Sequence, residues 1–152
     1  MSKTTKMVLL ILIGVFVLMS LVPYAQKTNP KTDAKLSIKA PDDIMAIFKK
    51  SCYDCHSNQT RWPWYSSIFP LSWSISDHVK VGRARLNFDI WQTYSKEKQQ
   101  KLKDEIFRKT GTIMPLVDYL WFHPDAKLTK EEIKKVRNWA SDNKGYVQSE
   151  VR

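Results

Sequence analysis

The chain has 152 residues, and its 25 lysines and arginines exceed its 15 aspartates and glutamates by enough to give a formal net charge of +10. This length suggests one domain, and a total of two cysteines excludes a disulfide-rich scaffold. The positive charge suits an acidic partner or an anionic membrane surface, whereas the lack of a nucleic-acid-reading motif argues against nucleic acid.

The N-terminus predicts a membrane-targeting helix. A short basic head precedes an uncharged apolar run over residues 7–23, which is the pattern of an export signal. The run is close to the shortest length that spans a bilayer, about 17 residues. Pro23 and Tyr24 stand where a cleavage site would need small residues, so an uncleaved anchor is favoured over a removed signal peptide. Either one delivers the rest of the chain to the far side of a membrane.

The remaining sequence divides by composition. Residues 26–40 are polar, contain Pro30 and show no apolar period, so they are predicted to be a flexible tether. We therefore expect a signal or anchor segment at 1–25, the tether at 26–40, one folded domain at 41–143 and a C-terminal tail at 144–152.

A helix is predicted immediately before residue 52, because Ile44, Ile47 and Phe48 recur at helical spacing after Pro41. The helix leads into Cys52-Tyr53-Asp54-Cys55-His56, hereafter the CYDCH motif, which holds both cysteines of the chain.

The CYDCH motif has four possible interpretations. A disulfide between Cys52 and Cys55 would close a very small loop and stabilise little. A thioredoxin-like dithiol needs a preceding strand, and a helix is predicted there instead. A zinc site would have to recruit His78 and His123, whose spacings fit no zinc-finger pattern.

The fourth interpretation is covalent haem, because Cys-x-x-Cys-His is the attachment signature of c-type haem. Two thiols one helical turn apart reach the two vinyl groups on one porphyrin edge, and the next histidine binds the iron. Cys52 and Cys55 are therefore predicted to bond one haem per chain, with His56 as an iron ligand. This attachment happens outside the cytoplasm, so it requires an export signal, and the N-terminus has the pattern of one.

A second iron ligand is predicted in the loop at Met114-Pro115, since methionine is a common sixth ligand. The alternative ligand is His78. A final amphipathic helix follows, with a capping-box pattern at Thr129 and Glu132.

An aromatic cluster follows the CYDCH motif, and a large flat cofactor would give these rings a core to pack around. Trp62, Trp64 and Tyr65 are the candidate pocket walls. The arginines that could pair with haem propionates are Arg61, Arg83 and Arg85.

Three segments together resemble the bacterial haem-binding domain family that is defined by a CxxCH motif. They read SCYDCHSNQTRWPWYSSIFPLSW, HVKVGRARLNFDIW and MPLVDYLWFHPDAKLTKEE. The resemblance covers residues 41–139 and implies a small exported c-haem protein, with Cys52, Cys55 and His56 carrying the haem. Many relatives have a second proline directly after the Met-Pro pair, and Leu116 stands at that position here.

These observations predict an all-α, c-type cytochrome-like domain that transfers single electrons to a redox partner, either an acidic or a membrane-bound protein. An electron-transfer role is favoured over an enzymatic one because no nucleophile or base cluster is apparent. If the sixth iron position were open, the alternatives would be a peroxidase-like enzyme or a haem-based redox or gas sensor.

Overall fold

The computed structural model describes residues 1–21 and 27–142. Within them the fold is all-α, as predicted, with no strand. The α-helices are α1 (Lys3–Leu21), α2 (Asp42–Ser51), α3 (Tyr53–His56), α4 (Leu71–Arg85), α5 (Lys96–Lys109), α6 (Val117–Phe122) and α7 (Lys130–Ala140). Short 3-10 helices occupy Trp64–Ser67, Phe88–Thr93 and Pro124–Ala126. The predicted tail at 144–152 and the sequence around Pro23 and Tyr24 lie outside the described residues.

Helix α1 is apolar on all sides, with a mean hydropathy of 2.3 and none of its residues buried against the rest of the chain. Its 19 residues are long enough to cross a bilayer. A membrane anchor and a signal sequence share this length and composition.

The domain core forms where α2, α5 and α7 meet the 3-10 helix Phe88–Thr93. Phe48 of α2 and Phe88 are each 1% exposed, and their rings stack with centroids 4.7 Å apart. Trp139 of α7 packs edge-on against Phe48 at 5.3 Å. The apolar spacing that predicted α2 and α7 therefore marks the faces that these helices bury.

Helix α7 begins with the predicted capping box, in which Thr129 Oγ1 accepts from the backbone N–H of Glu132 and Glu132 Oε2 accepts from that of Thr129. The same carboxylate joins α7 to α2, because Lys50 Nζ lies 2.5 Å from Glu132 Oε1. Glu132 thus stabilises both the start of its helix and the contact between two helices.

The segment predicted to be a flexible tether contacts the domain. Arg83 Nη1 donates to Thr28 O at 2.8 Å, and Asn29 Nδ2 donates to Thr60 O at 2.9 Å. Further along, Ile38 is 4% exposed and its N–H donates to Phe88 O. A free tether would make none of these contacts. Polar composition alone did not reveal them because the partners lie about 30 to 55 residues away in the sequence.

The Glu132–Lys50 pair predicts that the free energy of unfolding of the domain depends measurably on pH. Burial works to raise the pKa of Glu132, but the hydrogen bonds from Lys50 and from the Thr129 backbone outweigh it, so the pKa lies below its ordinary value. The stabilisation is therefore present above the unfolded-state pKa, about 4.3, and is lost as the pH falls through the lowered folded-state pKa. Glu132→Gln, which keeps a capping acceptor, should lower the free energy of unfolding by about 0.5–1 kcal/mol at neutral pH.

The check is urea unfolding of both proteins between pH 3 and pH 7, in which the difference should shrink below about pH 4. Glu131→Gln changes an exposed carboxylate next to Glu132 and serves as the matched control. A difference that persists unchanged at pH 3, or an equal effect of Glu131→Gln, would contradict the assignment.

Candidate functional site

The CYDCH motif forms a single turn at the end of α2. The N–H of Cys52 still donates to Phe48 O, and the N–H groups of Cys55 and His56 both donate to Cys52 O. Cys52, Cys55 and His56 line one cavity of about 170 Å³, hereafter the motif cavity. The local turn therefore brings the two thiols and the imidazole to one space.

His56 has a defined orientation because its Nδ1 lies 3.1 Å from Gly82 O and 3.0 Å from Leu86 O. Both partners are carbonyl oxygens, which only accept, so Nδ1 must carry the proton. Nε2 is then unprotonated, and its lone pair can bind a metal. This is the tautomer found in metal-binding histidines whose other ring nitrogen is hydrogen-bonded to the protein. Burial also lowers the pKa of His56 and so favours this neutral form.

Gly82 allows α4 to approach the motif. A Cβ at this position would lie 2.4 Å from Cys55 O and 3.2 Å from Cys55 Cβ. No side chain fits there without displacing the backbone of the motif. The close approach also places the carbonyls of Gly82 and Leu86 next to His56.

The thiols do not have the environment of a redox dithiol. Burial raises the pKa of Cys52 to about 12, and the nearby Cys55 adds to the shift. Burial likewise raises the pKa of Cys55 to about 12, with further contributions from the carboxylates of Asp54 and Asp118. A redox dithiol needs a lowered pKa to supply the attacking thiolate, so this environment argues against one.

The zinc interpretation also finds no support in the described part of the chain. No three His, Cys, Asp or Glu side chains within residues 1–21 and 27–142 group closely enough to hold a metal ion. A structural zinc site needs four such ligands.

Met114 lines the motif cavity together with Pro115 and Leu116. Helix α5 ends at Lys109, and Gly111, with φ of +76°, turns the chain back. The N–H of Gly111 donates to Met114 O, and the N–H of Met114 donates to Lys109 O. This tight turn brings the methionine to the same cavity as His56.

A second cavity of about 310 Å³ adjoins the first, and we call it the aromatic cavity. Its wall includes Tyr65, Trp121 and Phe122. Asp54, Cys55, His78 and Tyr119 line both cavities.

The two remaining histidines lie in different surroundings. His78 lines both cavities, and its Nε2 lies 3.7 Å from Asp118 Oδ2. His123 stacks on the Tyr119 ring at 4.2 Å, with its Nε2 3.3 Å from the hydroxyl of Tyr65. His78 is therefore the second histidine placed next to the motif cavity, whereas His123 lines only the aromatic cavity.

Asp54, within the motif, is hydrogen-bonded both to Arg61 and to Tyr119 of α6. It is 7% exposed and accepts from Arg61 Nε at 3.2 Å, from Arg61 Nη2 at 3.0 Å and from the Tyr119 hydroxyl at 2.8 Å. Burial works to raise the pKa of Asp54, but these hydrogen bonds outweigh it and the pKa lies below its ordinary value. The carboxylate thus ties α6, which follows the methionine loop, to the motif.

The three aromatic residues predicted as pocket walls have separate positions. Tyr65 lines the aromatic cavity. Trp64 is 78% exposed, and neither it nor Trp62 lines the two cavities. Trp62 Nε1 is buried without a hydrogen-bond partner among the described residues.

The three arginines predicted to pair with propionates also differ in their contacts and positions. Arg61 is bound to Asp54, and Arg83 is hydrogen-bonded to Ser57 O at 2.6 Å as well as to the N-terminal segment. Only Arg85 of the three both lines the motif cavity and is exposed. Arg85 is therefore the arginine best placed for a propionate.

The haem-binding domain family matches the chain over residues 14–142. The chain belongs to this family. Its membership confirms the resemblance found in the sequence and establishes haem as the cofactor. No curated protein and no solved structure matches the chain.

The residues around the CYDCH motif fit a haem of this haem-binding domain. His56 presents an unprotonated Nε2, and Met114, whose thioether is of a type that binds haem iron, lines the same cavity. Ser51 supports the fit independently: it is 6% exposed and lines the motif cavity, and its Oγ has no partner among the described residues. A buried hydroxyl normally has a hydrogen-bond partner, and a bound group would supply one.

Sequence reasoning missed Ser51, Gly82 and Tyr119 as members of this site. Gly82 carried a usable signal, because a glycine in a helix interior costs about 1 kcal/mol and usually has a packing reason. Ser51 and Tyr119 carried none, since neither residue type nor spacing marks a contact that only tertiary packing creates.

Proposed function

We propose that this haem-binding domain is a c-type electron-transfer protein with one haem bonded to Cys52 and Cys55. The observation that carries the proposal is that both cysteines, His56 and Met114 line a single cavity. Family membership supports haem binding, and the geometry of the four residues favours covalent attachment with two protein ligands.

Each residue has a part in this function. When bound, the haem supplies the one-electron couple. The Gly82 and Leu86 carbonyls hold the His56 imidazole in one orientation, and the turn at Gly111 holds Met114. If both iron ligands stay bound, the coordination of the iron changes little when an electron is transferred.

The proposed location is the outer face of the bacterial cytoplasmic membrane, in the periplasm or at the exterior. Helix α1 is long and apolar enough to serve as an anchor, and the covalent attachment of haem requires export. The redox partner would be an acidic or membrane-bound protein, which the net charge of +10 would attract.

Met114→Ala tests the electron-transfer proposal. We expect the ferric spectrum to change from six-coordinate low-spin to largely high-spin, because the iron loses a ligand. We also expect the reduction potential to fall, since methionine ligation raises it. Visible spectroscopy with redox titration measures both. Met45→Ala, at a methionine that packs against the core and lines neither cavity, should leave the spectrum unchanged.

Two outcomes would contradict parts of the proposal. A Met114→Ala variant with an unchanged low-spin spectrum and potential would show that Met114 is not the ligand, and His78→Ala would then be tested in the same way. A high-spin spectrum of the unaltered protein, with peroxide turnover or carbon monoxide binding, would favour the peroxidase or sensor alternatives.

A further inference from the structure

The N-terminal segment fixes one face of the domain close to the end of α1. Helix α1 ends at Leu21, and Thr28 and Asn29 are already hydrogen-bonded to Arg83. Residues 22–28 can span at most about 25 Å, at roughly 3.3–3.6 Å per residue. If α1 crosses a bilayer, the face of the domain around Arg83 must lie near the membrane surface.

A patch of exposed apolar side chains lies on the neighbouring surface, and we call it the aromatic patch. Its members are Trp64 at 78%, Trp121 at 74%, Phe122 at 50% and Ile68 at 36% exposed. The rings are continuous through Tyr65, which lies 5.8 Å from Trp64 and 4.7 Å from Phe122. Two tryptophans this exposed are uncommon on a surface that faces water, and tryptophan is enriched where proteins meet the headgroup region of a bilayer.

Contacts with the N-terminal segment connect the patch to the anchor. Lys27 Nζ lies 2.5 Å from Ser67 Oγ, next to Ile68 in the sequence. Phe16 of α1 packs edge-on against Phe69, with ring centroids 6.3 Å apart. The apolar helix and the patch therefore share one side of the molecule.

We propose that the aromatic patch inserts into the interface of the bilayer that holds α1, so that the domain docks on the membrane by a fixed face. This inference rests on the proposed role of α1 as an uncleaved anchor. Exposed Lys27 and Lys31, just after the anchor, suit the anionic headgroups of that surface. Trp121 and Phe122 also line the aromatic cavity, so docking brings this cavity, and with it the haem site that it adjoins, to the membrane surface.

Spin-label depth measurements on the full-length, haem-loaded protein test the docking. Single variants Trp64→Cys and Trp121→Cys would carry a nitroxide, and the protein would be placed in nanodiscs of phosphatidylcholine and phosphatidylglycerol. We expect both labels to be more accessible to oxygen than to a water-soluble nickel complex. Lys101→Cys, on an exposed position of α5, is the control and should show the reverse.

A fourth label, Leu12→Cys in α1, separates the two parts of the inference. If Leu12 reports bilayer depth while the labels at Trp64 and Trp121 match the Lys101 control, the anchor holds and the docking proposal is wrong. If the Leu12 label is also exposed to water, the anchor itself fails, and the docking inference fails with it.

Discussion

Replacing His56 with alanine is expected to abolish the low-spin haem spectrum almost completely. His56 is the residue of the CYDCH motif with its Nδ1 fixed by two carbonyls and its Nε2 available to the iron. Without it the iron has no strong ligand on that face, so any haem that remains should be high-spin. Added imidazole should restore part of the low-spin spectrum by occupying the vacated position.

His123→Ala is the matched control for His56→Ala, because His123 is also hydrogen-bonded and stacked but lines only the aromatic cavity. Its spectrum should remain that of the unaltered protein. An unchanged low-spin spectrum in His56→Ala would show that the iron is held elsewhere. A loss of that spectrum in His78→Ala would then identify His78 as the ligand.

Gly82→Ala is expected to lower the free energy of unfolding of the haem-loaded protein by about 1–3 kcal/mol, the usual cost of overpacking a well-packed site. The new Cβ would lie 2.4 Å from the backbone oxygen of Cys55, and moving α4 away from the motif would break the contacts of His56 Nδ1 with the Gly82 and Leu86 carbonyls. For a domain of this size, each kcal/mol lowers the melting temperature by about 4–8 °C. Thermal unfolding followed by far-ultraviolet circular dichroism and by haem absorbance measures the effect.

Gly14→Ala provides the control for Gly82→Ala, because a Cβ at Gly14 would meet nothing within 4 Å. This substitution should not lower the melting temperature of the domain. Since alanine is the better helix former by about 1 kcal/mol, a Gly82→Ala variant that is more stable than the unaltered protein would mean that α4 does not approach the motif closely.

Local signals in the sequence were enough to predict the helices that frame the site. Pro41 and the spacing of Ile44, Ile47 and Phe48 predicted α2, which begins at Asp42. The Thr129 capping box predicted the start of α7 at Lys130. These signals depend on residues within one or two turns of each other, where helix geometry alone decides which side chains meet.

The contacts that orient the site could not be predicted in this way. The carbonyls that bind His56 lie 26 and 30 residues further along the chain, and Tyr119 lies 65 residues from Asp54. Such pairs depend on how α4 and α6 pack. The angle at which two helices pack does not produce a periodic pattern of residues in the sequence. Trp64 shows the same limit, because a short 3-10 helix has no regular buried face by which its exposure could be recognised.

The most direct test of the central claim is whether haem stays with the polypeptide during acid–acetone extraction. The protein would be produced in cells with a c-type maturation system, beside a double Cys52→Ser, Cys55→Ser variant. We predict that haem remains with the unaltered chain, one per chain, and is extracted from any haem-loaded double variant. Haem that passes into the acetone from the unaltered chain would contradict covalent attachment and leave a haem-binding domain of another kind.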